Sequence, residues 1–173
     1  NHVRFRRDGA FEVAPVILPR ERRSELQRHL MLCFTGLSRY SSEVAKSTID
    51  NLGAREAELR RMGEMVDEAV RVLATPSTPI AEFGRLLDEA WQHKRKLSDK
   101  VSTSQVDEFY ETARSAGAIG GKLMGAGGGG FMLLFVPPEL QSKVRSRLAK
   151  LVHVPFEFES DGSRVVLYQP NGL

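Results

Sequence analysis

Cysteine is nearly absent. Cys33 is the one thiol in 173 residues, so no disulfide can staple the chain internally. It sits in the apolar run Leu30-Met31-Leu32-Cys33-Phe34, where burial explains a thiol better than reactivity does. Long hydrophobic runs are missing too. No stretch approaches the roughly 18 to 20 apolar residues of a membrane helix, so no membrane partner is expected. Nothing reads as a signal peptide, and a cytoplasmic location is the expectation. A dominant charge is also lacking: 25 Lys and Arg stand against 22 Asp and Glu, for a net charge of +3. Basic residues gather at Arg4, Arg6, Arg7, Arg20, Arg22 and Arg23, and again at Lys94, Arg95, Lys96 and Lys100. No aromatic ladder accompanies either group, so no nucleic-acid partner is expected; the second group better suits an anionic small molecule. His2, His29, His93 and His153 show no metal-ligand spacing, and no metal site is expected. No repeat or low-complexity tail is apparent.

What is present is a globular composition, 41% hydrophobic and 27% charged. Val3 and Phe5, then Phe11 and Val13, alternate around Asp8-Gly9 and predict a β-hairpin. A short helix from about Glu21 and a buried strand over Leu30 to Phe34 follow. Ser38, Ser41 or Ser42 is a candidate cap for the next helix, with Ala45, Thr48, Ile49 and Leu52 on its inner face. Leu59, Met62, Val66, Ala69, Val70 and Leu73 stripe a second helix. A third, Ile80 to Leu97, turns Phe83, Leu86, Leu87, Ala90 and Trp91 inward. A fourth begins at Ser104 in the capping-box-like Ser-Gln-Val-Asp. Phe131 to Val136 predicts a strand covered on both faces, and Pro137-Pro138 opens a helix. Val154, Phe156 and Phe158, a turn at Asp161-Gly162, and Val165 to Tyr168 predict two closing strands. The order reads as an α+β domain, a mainly antiparallel sheet with helices on one side.

Eight of the 15 glycines fall between Gly117 and Gly130. Such density costs conformational entropy, and a plain turn needs one or two. It offers bare backbone N–H groups that can curl into an anion nest. The simpler alternative is a connection where the sheet leaves no room for side chains. Gly125, Gly127 and Gly130 formally satisfy G-x-G-x-x-G, but the dinucleotide fingerprint follows a strand and opens a helix, whereas here a helix is expected before and a strand after. Lys122 precedes Leu123 rather than Ser or Thr, which excludes Walker A. Without a following helix dipole the loop is expected to be a wall of a phosphate site more than its main cradle.

Gly-Gly-Lys-Leu-Met-Gly-Ala-Gly-Gly-Gly-Gly-Phe (120–131) before an apolar strand resembles the third conserved motif of the GHMP kinases, which phosphorylate small molecules. Phe34-Thr35-Gly36-Leu37-Ser38-Arg39, Ala90 to Ser98 and Gly117 to Lys122 resemble the D-glycero-D-manno-heptose 7-phosphate kinase branch. The resemblance implies a ferredoxin-like C-terminal domain over 20–173, with hairpin 1–19 belonging to or bordering an N-terminal domain. It further implies ATP and Mg²⁺ as cofactors of the whole enzyme, a phosphorylated sugar as substrate, and the N-terminal half of the same enzyme as partner. No Gly-Leu-Gly-Ser-Ser-type phosphate loop occurs in the chain. We therefore expect the ATP cradle and the catalytic carboxylate in that other half, no catalytic residue here, and no kinase activity from this chain alone.

The candidate ligand contacts are the backbone of Gly125, Ala126, Gly127, Gly128 and Gly129, together with Thr35, Arg39, Lys94 and Lys122. At about 100° per residue Lys94 falls among Phe83, Leu87, Ala90 and Trp91, in the apolar stripe of its helix. It either faces the substrate cleft and neutralises a sugar phosphate, or snorkels at a helix C-terminus. Arg39 can fork onto phosphate oxygens or pair with Glu43 at i+4. Lys122 reaches a phosphate or is merely solvated. Two other classes stay open: a stand-alone α+β module that senses a phosphorylated metabolite, and a related kinase for another sugar or an isoprenoid precursor.

Overall fold

The computed structural model describes residues 1–159 together with 162, 163, 165 and 168. Strands β1 (His2–Phe5) and β2 (Phe11–Ala14) pair antiparallel around Asp8-Gly9, where Gly9 adopts φ +86° and Asp8 Oδ1 accepts the Ala10 N–H at 3.0 Å. Among the described residues this hairpin pairs only with itself, and it leaves Phe5 and Phe11 exposed. Helix α1 (Arg20–His29) starts directly after Pro19, a residue that cannot sit in a helix interior. It buries Leu26 and Arg22. The Arg22 guanidinium donates to the carbonyls of Val72 and Thr78 at 2.7 and 2.8 Å, and so serves a helix end whose last carbonyls lack intrahelical partners.

Strand β3 (Leu30–Phe34) leaves α1 without a break, and α2 (Ser41–Asp50), α3 (Glu56–Ala74), α4 (Ala81–Arg95) and α5 (Ser104–Ala116) follow. Strands β4 (Gly120–Leu123) and β5 (Phe131–Phe135), helix α6 (Gln141–Arg147) and strand β6 (Val152–Val154) complete the order. The sheet runs β4-β5-β3-β6, antiparallel throughout. Met31, Cys33, Leu123, Met132 and Leu134 share one face of it. Over that face pack Val106, Tyr110 and Ala113 of α5, Val144 of α6 and Trp91 of α4. The opposite face is covered at one end, where Leu26, Leu73, Ile80 and Phe83 gather around Phe135 and Leu30. At its other end Phe34 and Phe131 stack with ring centroids 5.2 Å apart, and Phe131 stays exposed. Helices thus dominate one side, as expected, with α1, α3 and the start of α4 wrapping one end of the other. Cys33 is fully buried beside His153, and burial pushes its thiol up to about 11. It is a packing residue.

The structure departs from these expectations at several places, and the strand expected over Val154, Phe156 and Phe158 is β6, which ends at Val154. Val44 is the buried residue of α2, while Ile49 is 63% exposed and Leu52 40%. The stripe is one residue out of phase because α2 is short and touches the core only near its start. No serine caps α2; Tyr40 holds that position without a side-chain bond. Thr103, not Ser104, caps α5, its Oγ1 accepting the Val106 N–H at 3.2 Å, while Ser102 binds Asp107 at 2.6 Å. Strand β4 was not expected at all. Of the predicted strand over Val165 to Tyr168, Val166 and Leu167 lie outside the described residues, as does Asp161 of its turn.

Strand β4 explains two glycines. Gly84 on α4 and Gly120 on β4 face each other, and a Cβ on Gly120 would overlap the Gly84 carbonyl and stand 2.8 Å from the Asp88 nitrogen. On Gly121 it would stand 2.6 Å from the Leu133 carbonyl. Helix α4 lies so close to Gly120, and strand β5 so close to Gly121, that only hydrogen fits at either. For these two positions the no-room alternative holds, and residues that disfavour strands form one because packing overrides propensity.

Candidate functional site

The glycine loop is residues 124–130, the connection between β4 and β5, so a strand rather than a helix enters it. Three segments hold it. From the end of β3, buried Thr35 gives its N–H and its hydroxyl to the Gly130 carbonyl, at 2.9 and 2.8 Å, and Gly130 N–H donates to Leu37 at 2.9 Å. From the α4–α5 connection, the Val101 carbonyl accepts the Gly128 N–H at 2.9 Å. From α4, Lys94 Nζ donates to the carbonyls of Leu123 at 3.0 Å and Gly125 at 2.5 Å. Close approach again requires glycine: a Cβ on Gly127 would stand 2.5 Å from the Val101 carbonyl, and one on Gly129 2.6 Å from that of Leu37.

These supports use up some donors and leave others. The N–H groups of Gly128 and Gly130 are taken, and Met124 N–H reaches Phe131 at 2.8 Å. Those of Gly125, Ala126, Gly127 and Gly129 have no acceptor among the described residues. Gly125 and Gly127 have positive φ, +72° and +127°, with Ala126 between them on the negative side. That alternation in the sign of φ is the pattern from which consecutive N–H groups can form an anion nest.

The candidate side chains divide. Thr35 spends its hydroxyl on the loop backbone. Lys94, half-buried, directs its ammonium at two loop carbonyls. Arg39 is exposed, makes no ion pair with Glu43 or any other acid among the described residues, and lies against the loop at Gly128. It borders a cavity of about 290 Å³ shared with Glu43, Asp99, Lys100 and Thr103. Lys122 lies off the loop: its side chain enters a mainly apolar groove of about 390 Å³ between α3 and α4, beside Leu87 and Ala90, without an ion-pair partner among the described residues. The sequence reading missed the Leu37 and Val101 carbonyls as supports, since a backbone acceptor leaves no mark in a residue's identity. Lys100 was visible only as part of a basic cluster.

Electrostatics follow burial. Lys94 is pushed down to about 8, chiefly by desolvation and secondly by Lys122, and Lys122 is lowered by desolvation. With Lys94 near 8 folded and near 10.5 when free, the unfolded chain holds one more proton between those values, so stability rises with pH across that window. Denaturant titrations from about pH 7.5 to about pH 10 should show wild type gaining on Lys94→Met as pH rises. A flat or falling difference contradicts the assignment. Among the described residues, no group of three or more His, Cys, Asp or Glu is placed to hold a metal ion. The free loop N–H groups are donors of the type an anion takes, while donors for Mg²⁺ are not gathered among the described residues.

The description "GHMP kinases C terminal" matches residues 72–153, which span α4, α5, the loop and α6. Residues 72–153 are a GHMP kinase C-terminal domain. The chain is similar to the D-glycero-alpha-D-manno-heptose 7-phosphate kinase of Campylobacter jejuni subsp. jejuni serotype O:2, 29% identical over 153 residues that make up 87% of this chain and 44% of that protein. Among solved structures, mevalonate kinase of L. major in complex with R-mevalonate superimposes with a TM-score of 0.69 at 17% identity, covering 87% of this chain and 47% of that one. Streptococcus pneumoniae phosphomevalonate kinase in complex with phosphomevalonate and AMPPNP gives 0.59 at 18%, covering 72% and 39%. The chain spans less than half the length of these relatives. In the GHMP kinase domain the α+β fold is therefore that of the family, and the relatives are kinases of small metabolites. No helix of the described residues is long and apolar enough to cross a membrane.

Proposed function

We propose that this domain is the C-terminal half of an ATP-dependent small-molecule kinase that phosphorylates D-glycero-D-manno-heptose 7-phosphate at its anomeric position. The observation that carries the reading is the set of unsatisfied N–H groups at Gly125, Ala126, Gly127 and Gly129, held in a curled loop by three other segments. Four donors without acceptors, on backbone that is already fixed, stabilise an anion at little reorganisation cost. Phosphoryl transfer needs that above all, because its chemistry is largely positioning and neutralisation of charge. ATP would supply the phosphoryl group, with its Mg²⁺ held by an N-terminal half; this chain would line the phosphates and hold the acceptor. The exposed hairpin β1–β2 would face that half. Cytoplasmic location goes with the same reading.

Arg39 and Lys100 carry the substrate part of the proposal. Arg39 and Lys100 border the cavity beside the loop together with Glu43 and Asp99, and Arg39 has no acid partner among the described residues. The unpaired Arg39 guanidinium is the group there that would meet a phosphorylated or carboxylated acceptor. In the enzyme containing both halves, Arg39→Ala should raise KM for the heptose phosphate by about 10- to 100-fold, the loss of one charge-assisted hydrogen-bond pair, with little change in kcat. A panel of sugar phosphates, free sugars and mevalonate is the test. Equal turnover of free and phosphorylated sugars overturns the substrate assignment, and preference for mevalonate replaces heptose with an isoprenoid precursor.

A further inference from the structure

We infer that Lys94 is a positioning residue that aims the loop's donors, by fixing the peptide plane between Gly125 and Ala126, rather than a ligand of the substrate phosphate. The inference rests on the reading of the loop as an anion site and adds what sets its direction. A trans peptide is planar, so its C=O and N–H point opposite ways. The Leu123 carbonyl points at Lys94 Nζ, 3.0 Å away, and the N–H of the same peptide, on Met124, duly points the other way to Phe131. The Gly125 carbonyl also points at Lys94 Nζ, 2.5 Å away, so the Ala126 N–H must point away from α4. That N–H is the middle donor of the three consecutive free ones.

No other hydrogen bond among the described residues holds this plane. Neither Gly125 nor Ala126 makes another hydrogen bond among the described residues, and a Cβ on Gly125 would meet nothing within 4 Å. Glycine at φ +72° restricts the following peptide little, so what bears on that peptide besides Lys94 is the partly buried Ala126, packed against the core. An ammonium anchored in the apolar stripe of α4, among Leu87, Ala90 and Trp91, removes that freedom. Burying a lysine without a carboxylate is costly, and two carbonyl acceptors offset the cost. Lys94 lies close enough to Lys122 to feel its charge. The latch thus links α4, which also packs on β4 through Gly84 and Gly120, to the direction of the loop's donors.

The test uses amide NMR of this chain, wild type against Lys94→Met and Lys94→Arg, first without ligand and then titrated with inorganic sulfate, whose charge is constant near neutral pH. In the ligand-free state Lys94→Met should move the Gly125 carbonyl and Ala126 amide resonances, with the rest of the spectrum kept. Lys94→Arg, which retains donors, should restore them in large part. On titration, wild type should shift at Ala126, and Lys94→Met should bind sulfate at least about tenfold more weakly, the loss of one charge-assisted bond. Unmoved ligand-free resonances at Gly125 and Ala126 in Lys94→Met overturn the positioning role and leave only a coulombic one. Moved resonances without any sulfate response in wild type support the latch while refuting the loop as an anion site. A spectrum that collapses throughout in both variants overturns the assignment and makes Lys94 a residue of the fold alone.

Discussion

Gly120→Ala is expected to destabilise the domain by about 3 kcal/mol or more, because its methyl has only backbone to displace. The added carbon would overlap the Gly84 carbonyl and stand 2.8 Å from the Asp88 nitrogen, both within α4. A side chain can rotate away from such a clash; a helix backbone cannot without lifting from the sheet. Lifting α4 would also disturb Tyr110, whose hydroxyl donates to Asp88 at 2.5 Å, and Trp91, which is wholly buried beneath it. Gly63 offers the control. It sits in α3 with nothing within 4 Å of its would-be Cβ, so Gly63→Ala should stabilise by roughly 0.5 to 1 kcal/mol. Urea midpoints of the two variants should therefore move in opposite directions. Equal behaviour would mean that α4 does not lie against β4 as described.

At Gly127 the same substitution should strike function before fold. Its φ of +127° suits glycine, and a Cβ there would press on the Val101 carbonyl at 2.5 Å. Relief requires the loop to move off the 100–101 segment, which breaks the Gly128 to Val101 bond and uncurls the nest. Strain of about 1 to 3 kcal/mol converts to a loss of about 10- to 100-fold in anion affinity. Gly125→Ala, at φ +72° in open space, should lose less. Calorimetric titration with tripolyphosphate ranks the two variants. If Gly125→Ala proves the more damaging, the loop is not held against Val101.

Most elements were legible because their periodicity was strong. The stripe from Leu59 to Leu73 became α3, and Leu30 to Phe34 became the central strand β3 between two partners. The hairpin followed from Asp8-Gly9 between alternating residues. Strand β4 was not legible, because Gly120-Gly121 argues against a strand until the helix across from it is known. The phase of α2 failed for a related reason: ten residues touching the core only near Val44 carry too little pattern. At the site, glycine clustering located the loop, yet it merged three roles. Gly117 ends α5 at φ +122°, Gly120 and Gly121 make room for neighbouring backbone, and Gly125, Ala126, Gly127 and Gly129 keep free N–H groups among the described residues. The helical spacing of Lys94 showed that it points inward, whereas its acceptors, two carbonyls from a distant segment, could be seen only in the fold. Lys122, placed in the loop by sequence, turns into the α3–α4 groove because alternate residues of β4 face opposite ways.

If backbone N–H groups of the 124–130 loop receive the nucleotide's phosphates, an amide NMR titration of this chain with a non-hydrolysable ATP analogue will register it at those groups. The largest shifts should concentrate at Gly125, Ala126, Gly127 and Gly129, with Gly128 and Gly130, whose N–H groups are already bonded within the protein, moving less. Shifts centred elsewhere, in the α3–α4 groove for example, with the four loop amides unmoved, would contradict it.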